Sequence, residues 1–140
     1  MGRRAVRITA DTNVLLRAAM CDDPGQAAAA MEVMRAATLV AVPSLVLCEF
    51  AWVLKRAYKL RSEEVGEAIR RLIAIESVRV DRPAVEAGLA ILDAGGDFAD
   101  GVIAFEGARM GGTAFATFDR AAASLLAAAG MQATLLMSAG

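Results

Sequence analysis

Apolar positions fall into short dense runs separated by longer runs at helical spacing. "AVRITA" (5–10) reads as a strand, and a short helix follows from Thr12 or Asn13. "PGQAAAAMEVMRAA" reads as a helix with Pro24 near its start. "TLVAV" is a second strand, closed by Pro43, after which Ser44 can cap a long helix through Lys59. "SEEVGEAIRRLIAI" is the next helix, with Ser62 as cap and Glu63 and Glu64 favourable in its first turn. "SVRV" is a weak third strand. Pro83 starts a helix that Gly95 and Gly96 end, and Asp97 caps another running to about Arg109. After Gly111 and Gly112, "TAFAT" is a fourth strand. An Ala-rich helix follows from about Arg120, stopped by Gly130, and "ATLLM" is a fifth strand.

Apolar strands alternating with helices imply parallel pairing with helices on both faces. The expected fold is therefore α/β, a three-layer αβα sandwich around a central, mostly parallel sheet of four to five strands. No linker or repeat stands out, so residues 1–140 read as a single domain.

Composition modifies this picture in three ways. Hydrophobic residues make up 57% of the chain and aromatics only 5%, so Ala, Val and Leu must fill the core. The apolar excess implies a surface covered by a partner. The net charge of −1, from 15 basic and 16 acidic residues, leaves no global electrostatic footprint for nucleic acid, so any such contact is local. Cys21 and Cys48 have no metal-like spacing and read as small buried or partly buried thiols in a reducing cytosol. "MGRR" is followed by too short an apolar stretch for a signal peptide. Residues 121–140 carry no charge, but Ser124, Gly130, Gln132, Thr134 and Ser138 interrupt them. They read as a buried helix and a strand rather than a membrane span. The expected location is cytoplasmic, with no membrane contact.

Sites in parallel α/β sheets form just beyond the carboxyl ends of the strands. That rule singles out Asp11 after the first strand, and Thr117 and Asp119 after the fourth. Each Asp can equally cap the helix that follows. Asp97 and Asp100 form "DFAD" at a helix start and resemble a capping box. Glu49 lies among apolar residues in "LVLCEFAWVL". It sits either on an exposed stripe, partly paired with Arg56, or faces a compensating cation. Taken together, hard oxygen ligands of this kind match Mg²⁺ or Mn²⁺. The chain contains no histidine, which excludes Ser-His-Asp triads, His-dependent ribonuclease chemistry and His-ligated zinc. A metal would then have to activate the attacking water.

"ITADTNVLLR", "VPSLVLCEFAWVL", "DFADGVIA" and "ATFDR", in this order, resemble the PIN-domain ribonucleases. The similarity is strongest to the VapC-type toxins of type II toxin–antitoxin pairs. The resemblance implies Asp11, Glu49, Asp100 and Asp119 as the acidic set around one or two Mg²⁺ or Mn²⁺ ions. Asp11, Asp100 and Asp119 would bind directly, and Glu49 would bind a second ion or position its water. Asn13 and Thr117 would support the site, and Asp97 matches a less regular acidic position. It further implies a metal-dependent endoribonuclease leaving 5′-phosphate and 3′-hydroxyl ends, a homodimer, and a small antitoxin covering the site. Arg17, Lys55, Arg56, Lys59 and Arg120 are candidates to track the RNA backbone.

Two other readings compete. A non-catalytic PIN-like module binding RNA or protein would keep the fold without the metal. A receiver-type phosphoacceptor domain needs a lysine after a late strand, but the only lysines are Lys55 and Lys59, both in the middle of the chain. An aspartyl-phosphate phosphatase needs a second Asp where Asn13 stands.

Overall fold

The structure, a computed structural model, describes residues 5–139. The described residues form an α/β structure in which every strand pair is parallel. It divides into two compact units, residues 1–81 and 82–140.

The first unit contains β1 (Arg7–Thr9), α1 (Thr12–Met20), α2 (Pro24–Ala36), β2 (Leu39–Ala41), α3 (Ser44–Arg56), α4 (Ser62–Ile73) and β3 (Val78–Arg79). Its sheet has the order β1-β2-β3, with Ile8 opposite Val40 and Val40 opposite Val78. Parallel neighbours require crossover connections, and the helices supply them. Val40, Leu47, Leu54 and Ile69 are fully buried. On α3 the buried residues are Leu47, Phe50, Ala51 and Leu54, spaced as one helical face. An apolar groove of about 500 Å³ is lined by Leu15, Met31, Met34, Phe50, Leu72 and Ile75, among others.

The second unit contains α5 (Arg82–Asp93), α6 (Phe98–Arg109), β4 (Phe115–Thr117), α7 (Arg120–Ala128) and β5 (Ala133–Leu135). Here β4 pairs with β5, with Phe115 opposite Ala133. The five expected strands are thus all present, hydrogen-bonded as three in one unit and two in the other. Val85, Ile91, Phe98, Val102 and Leu126 are buried. Gly95, Gly111 and Gly130 each have positive φ (96°, 104° and 89°), as expected where helices stop.

Several details differ from expectation. The third helix ends at Arg56 rather than Lys59, and Lys59 adopts a left-handed φ of 59°. Ser44 is already helical, so Pro43 occupies the N-cap position and no side chain caps the helix. Ser62 does not cap α4 either. Glu64 reaches back to accept the Arg61 N–H at 2.9 Å, and the Ser62 hydroxyl instead accepts from Lys55 Nζ at 3.2 Å. The Ala-rich helix is largely exposed, with only Ala122 and Leu126 buried. Cys48 is half-buried as expected, but Cys21 is exposed. No helix among the described residues is long and apolar enough to cross a membrane.

A polar clamp closes the end of α1. The Tyr58 hydroxyl donates to Asp22 Oδ2 at 2.7 Å, and Arg17 donates to Asp22 Oδ1, Tyr58 Oη and Gln26 Oε1. The Tyr58 bond is the main force holding the Asp22 carboxyl below its ordinary value. The same bond pushes the Tyr58 phenol up. Asp22 therefore stabilises the fold above its unfolded value, and that contribution is lost as pH falls through the lowered folded value. Tyr58 stabilises it below the unfolded phenol value, and that contribution is lost as pH rises through the raised one. Tyr58 is the only tyrosine, so phenolate absorbance reports it alone. Its midpoint is expected above about 10 and should fall back toward 10 in Asp22→Asn. A wild-type midpoint at or below about 10 would show that the bond does not form in solution.

Candidate functional site

In the first unit, Asp11 lies just beyond β1, as the strand-end rule requires, and it is also the N-cap of α1. Its Oδ1 accepts the Asn13 N–H at 3.4 Å. Asp11 and Asn13 are exposed, while Thr12 between them is buried and anchors the turn. No hydrogen bond among the described residues engages the second carboxylate oxygen of Asp11, so capping leaves it open to a cation.

Glu49 is exposed. The buried face of α3 is Leu47, Phe50, Ala51 and Leu54, and Glu49 lies off it. The cost of burying an isolated carboxylate therefore does not arise, and burial gives no argument for a cation there. The pairing with Arg56 does not form either. The Arg56 guanidinium instead lies over the Trp52 ring, 5.7 Å from its centroid.

In the second unit, Asp97 is the N-cap of α6, its Oδ1 accepting the Ala99 N–H at 3.0 Å. The reciprocal half of a capping box is absent among the described residues, so Asp100 in the first turn is not used as a cap. Thr117 is the last residue of β4, and its Oγ1 accepts the Asp119 N–H at 3.0 Å. Asp119 in turn caps α7 by accepting the Ala122 N–H at 3.1 Å. Thr117 thus braces the turn that carries Asp119.

Asp97 and Asp119 both lie close enough to Asp100 for their charges to act on it. Burial, then the charges of Asp97 and Asp119, push the Asp100 carboxyl above its ordinary value. Among the described residues, no three carboxylates or thiols converge tightly enough to form a ready metal-binding group. The expected ligands are carried on both units, Asp11 and Glu49 on the first and Asp100 and Asp119 on the second. In kind they fit Mg²⁺ or Mn²⁺, being hard oxygen donors, and a cation would relieve the crowding at Asp100.

The expected basic residues have mixed fates. Arg17 is spent on the Asp22–Tyr58 clamp and is not a free RNA contact. Lys55 bonds Ser62, Arg56 covers Trp52, and Lys59 and Arg120 are exposed. The sequence reading missed Glu106, whose Oε1 is buried with no hydrogen-bond partner among the described residues. It follows Phe98 and Val102 at four-residue steps, which places it on the inner stripe of α6. That spacing in "FADGVIAFEGAR" was the available signal.

A family model described as the PIN domain matches residues 8–126. No curated protein matches the chain. The matched span takes in Asp11, Glu49, Asp97, Asp100 and Asp119 together with the parallel strands and helices that carry them. With this nuclease-type fold over most of its length, the chain belongs to the PIN domain family.

Proposed function

We propose that the chain is a single-domain, metal-dependent endoribonuclease, acting as the toxin of a type II toxin–antitoxin pair. The observation that carries the reading is the carboxylate crowding at the starts of α6 and α7, where burial and two neighbouring charges disfavour ionised Asp100. Asp97 and Asp119 are accounted for as helix caps, whereas Asp100 caps nothing, and a bound cation would offset the cost of its ionised form.

In this reading Asp11, Asp100 and Asp119 hold Mg²⁺ or Mn²⁺ directly, and Glu49 serves a second ion or its water. The ion, when bound, supplies water activation and neutralises phosphate charge. The chain's own residues do the positioning. Helix capping fixes the Asp11 and Asp119 carboxylates in place, and Thr117 holds the Asp119 backbone. Asn13 closes the Asp11 turn, and Asp97 adds negative charge beside Asp100. A homodimer in the cytoplasm and a small antitoxin partner complete the proposal. The exposed apolar side chains, Met31, Val33 and Ile75 among them, support a covering protein.

The test is incubation of purified chain with RNA in Mg²⁺, in Mn²⁺ and in chelator. Cleavage with either metal, lost in chelator, is the expected result. Metal-independent cleavage would rule out the mechanism. No cleavage, together with no Mn²⁺ uptake at millimolar concentration by calorimetry, would favour a binding module.

A further inference from the structure

The outward stripe of α3 is unusual for a surface. Leu45, Glu49, Trp52 and Arg56 follow one another at steps of four, three and four residues, so they share one helical face. Trp52 is 57% exposed and Leu45 71% exposed. An indole left open to water forfeits a large burial gain, so its exposure calls for a reason. One face of the ring is taken by the Arg56 guanidinium. Arg56 meets no carboxylate among the described residues, so its charge is not spent within the protein.

The charge around Trp52 is also distinctive. The chain as a whole is slightly acidic, yet residues 44–59 hold Lys55, Arg56 and Lys59 against the single acid Glu49. All three cations are exposed; Lys55 and Arg56 close α3, and Lys59 follows three residues beyond its end. An exposed aromatic ring beside a group of cations is the pattern that binds single-stranded nucleic acid. A base stacks on the ring, and the cations follow the phosphates. A protein partner would call for a contiguous apolar patch, whereas here Trp52 is flanked by charge on both sides along the stripe.

We infer that Trp52 and Arg56 form a stacking platform for an unpaired base of the RNA, with Lys55 and Lys59 tracking its backbone. This rests on the ribonuclease reading above for the identity of the substrate. It adds a substrate preference, because a base can reach the ring only when it is out of a duplex. It also gives the α3 stripe two ends, Glu49 three residues before the ring and the phosphate-binding cations beyond it.

Trp52 is the only tryptophan, so its emission reports this site alone. The full chain is titrated, in chelator to prevent cleavage, with single-stranded oligoadenylate and with an RNA duplex of equal length. Binding is followed independently by anisotropy of labelled RNA. Oligoadenylate is expected to quench the emission, and the duplex is expected to leave it nearly unchanged. Trp52→Ala should weaken oligoadenylate binding about tenfold, while Trp52→Phe should stay within about threefold. Arg56→Gln should weaken it as well, and Lys59→Gln should reduce the slope of log affinity against log salt by roughly 0.7.

Because Trp52 is exposed, these variants are expected to fold, and circular dichroism checks that they do. Absence of binding, binding without quenching, or wild-type affinity in folded Trp52→Ala would each overturn the inference. So would a Trp52→Ala variant altered only in sedimentation, which would make the stripe a self-association face. The assay needs no cleavage. A chain that quenches but never cuts RNA loses the nuclease reading alone, and one that cuts without quenching loses only this inference.

Discussion

Asp100→Asn is expected to lower RNA cleavage by about a hundredfold or more. Removing a residue that only orients a metal ligand typically costs 10- to 100-fold, so losing a direct ligand should reach at least the upper end of that range. The substitution is well placed for interpretation. Asp97 caps α6, so Asp100 can change without loss of the cap. Burial and the charges of Asp97 and Asp119 work against ionised Asp100, so the neutral amide should melt no lower than wild type. Loss of cleavage at unchanged or raised melting temperature would assign the residue to function. Cleavage at the wild-type rate would remove Asp100 from the proposed acidic set. Asp11→Asn and Asp119→Asn follow the same logic, because Asn caps a helix about as well as Asp. Replacement of either by Ala would add a capping loss of about 1 kcal/mol and blur the result.

The largest stability effect is expected at Gly101→Ala. A Cβ at Gly101 would lie 2.4 Å from the Ala87 carbonyl oxygen and 2.8 Å from Gly88 Cα, both backbone atoms. Gly88 opposes it across the α5–α6 crossing, where an added Cβ would meet the Phe98 ring at 2.6 Å. The two helices touch through their backbones, and no side-chain rotation relieves the clash. An ordinary Gly-to-Ala change inside a helix gains up to about 1 kcal/mol. Here overpacking should reverse the sign and cost about 3 kcal/mol, the upper end of the usual range, because α5 and α6 must separate. Gly107 on the same helix is the control. Nothing lies within 4 Å of its added Cβ, so Gly107→Ala should be neutral or stabilising. Urea midpoints of the three proteins would decide. If Gly101→Ala and Gly107→Ala shift stability equally, the close approach is wrong.

Much of this was legible from local signals. Asp11, Asp97 and Asp119 follow strand or glycine breaks and precede helical runs, and all three are caps. The double role weighed for Asp11 and Asp119, cap and candidate ligand, is compatible with the hydrogen bonds found, since each cap bond engages one oxygen. What failed was inference from neighbours in sequence. The apolar residues flanking Glu49 left its exposure open, and only the helix shows that Leu47, Phe50, Ala51 and Leu54 form a face that Glu49 lies off. Ser44 and Ser62 looked like caps because they have the right side chain, but Pro43 already starts one helix, and the Arg61–Glu64 bond closes the other. Arg17 looked available because its partners Asp22, Gln26 and Tyr58 come together only in three dimensions. The Gly88–Gly101 approach has no local signature at all, since each glycine reads singly as a weak point in a helix.

Trp52 and Tyr58, the only residues of their kinds, both lie in the first unit, and residues 82–140 contain neither. The chain is thus optically one-sided. Indole and phenol signals follow the melting of residues 1–81, whereas far-ultraviolet dichroism sums helices from both units. Superposition of the two unfolding curves would establish one cooperative transition, and a gap between them would give each half its own melting point without any label being attached.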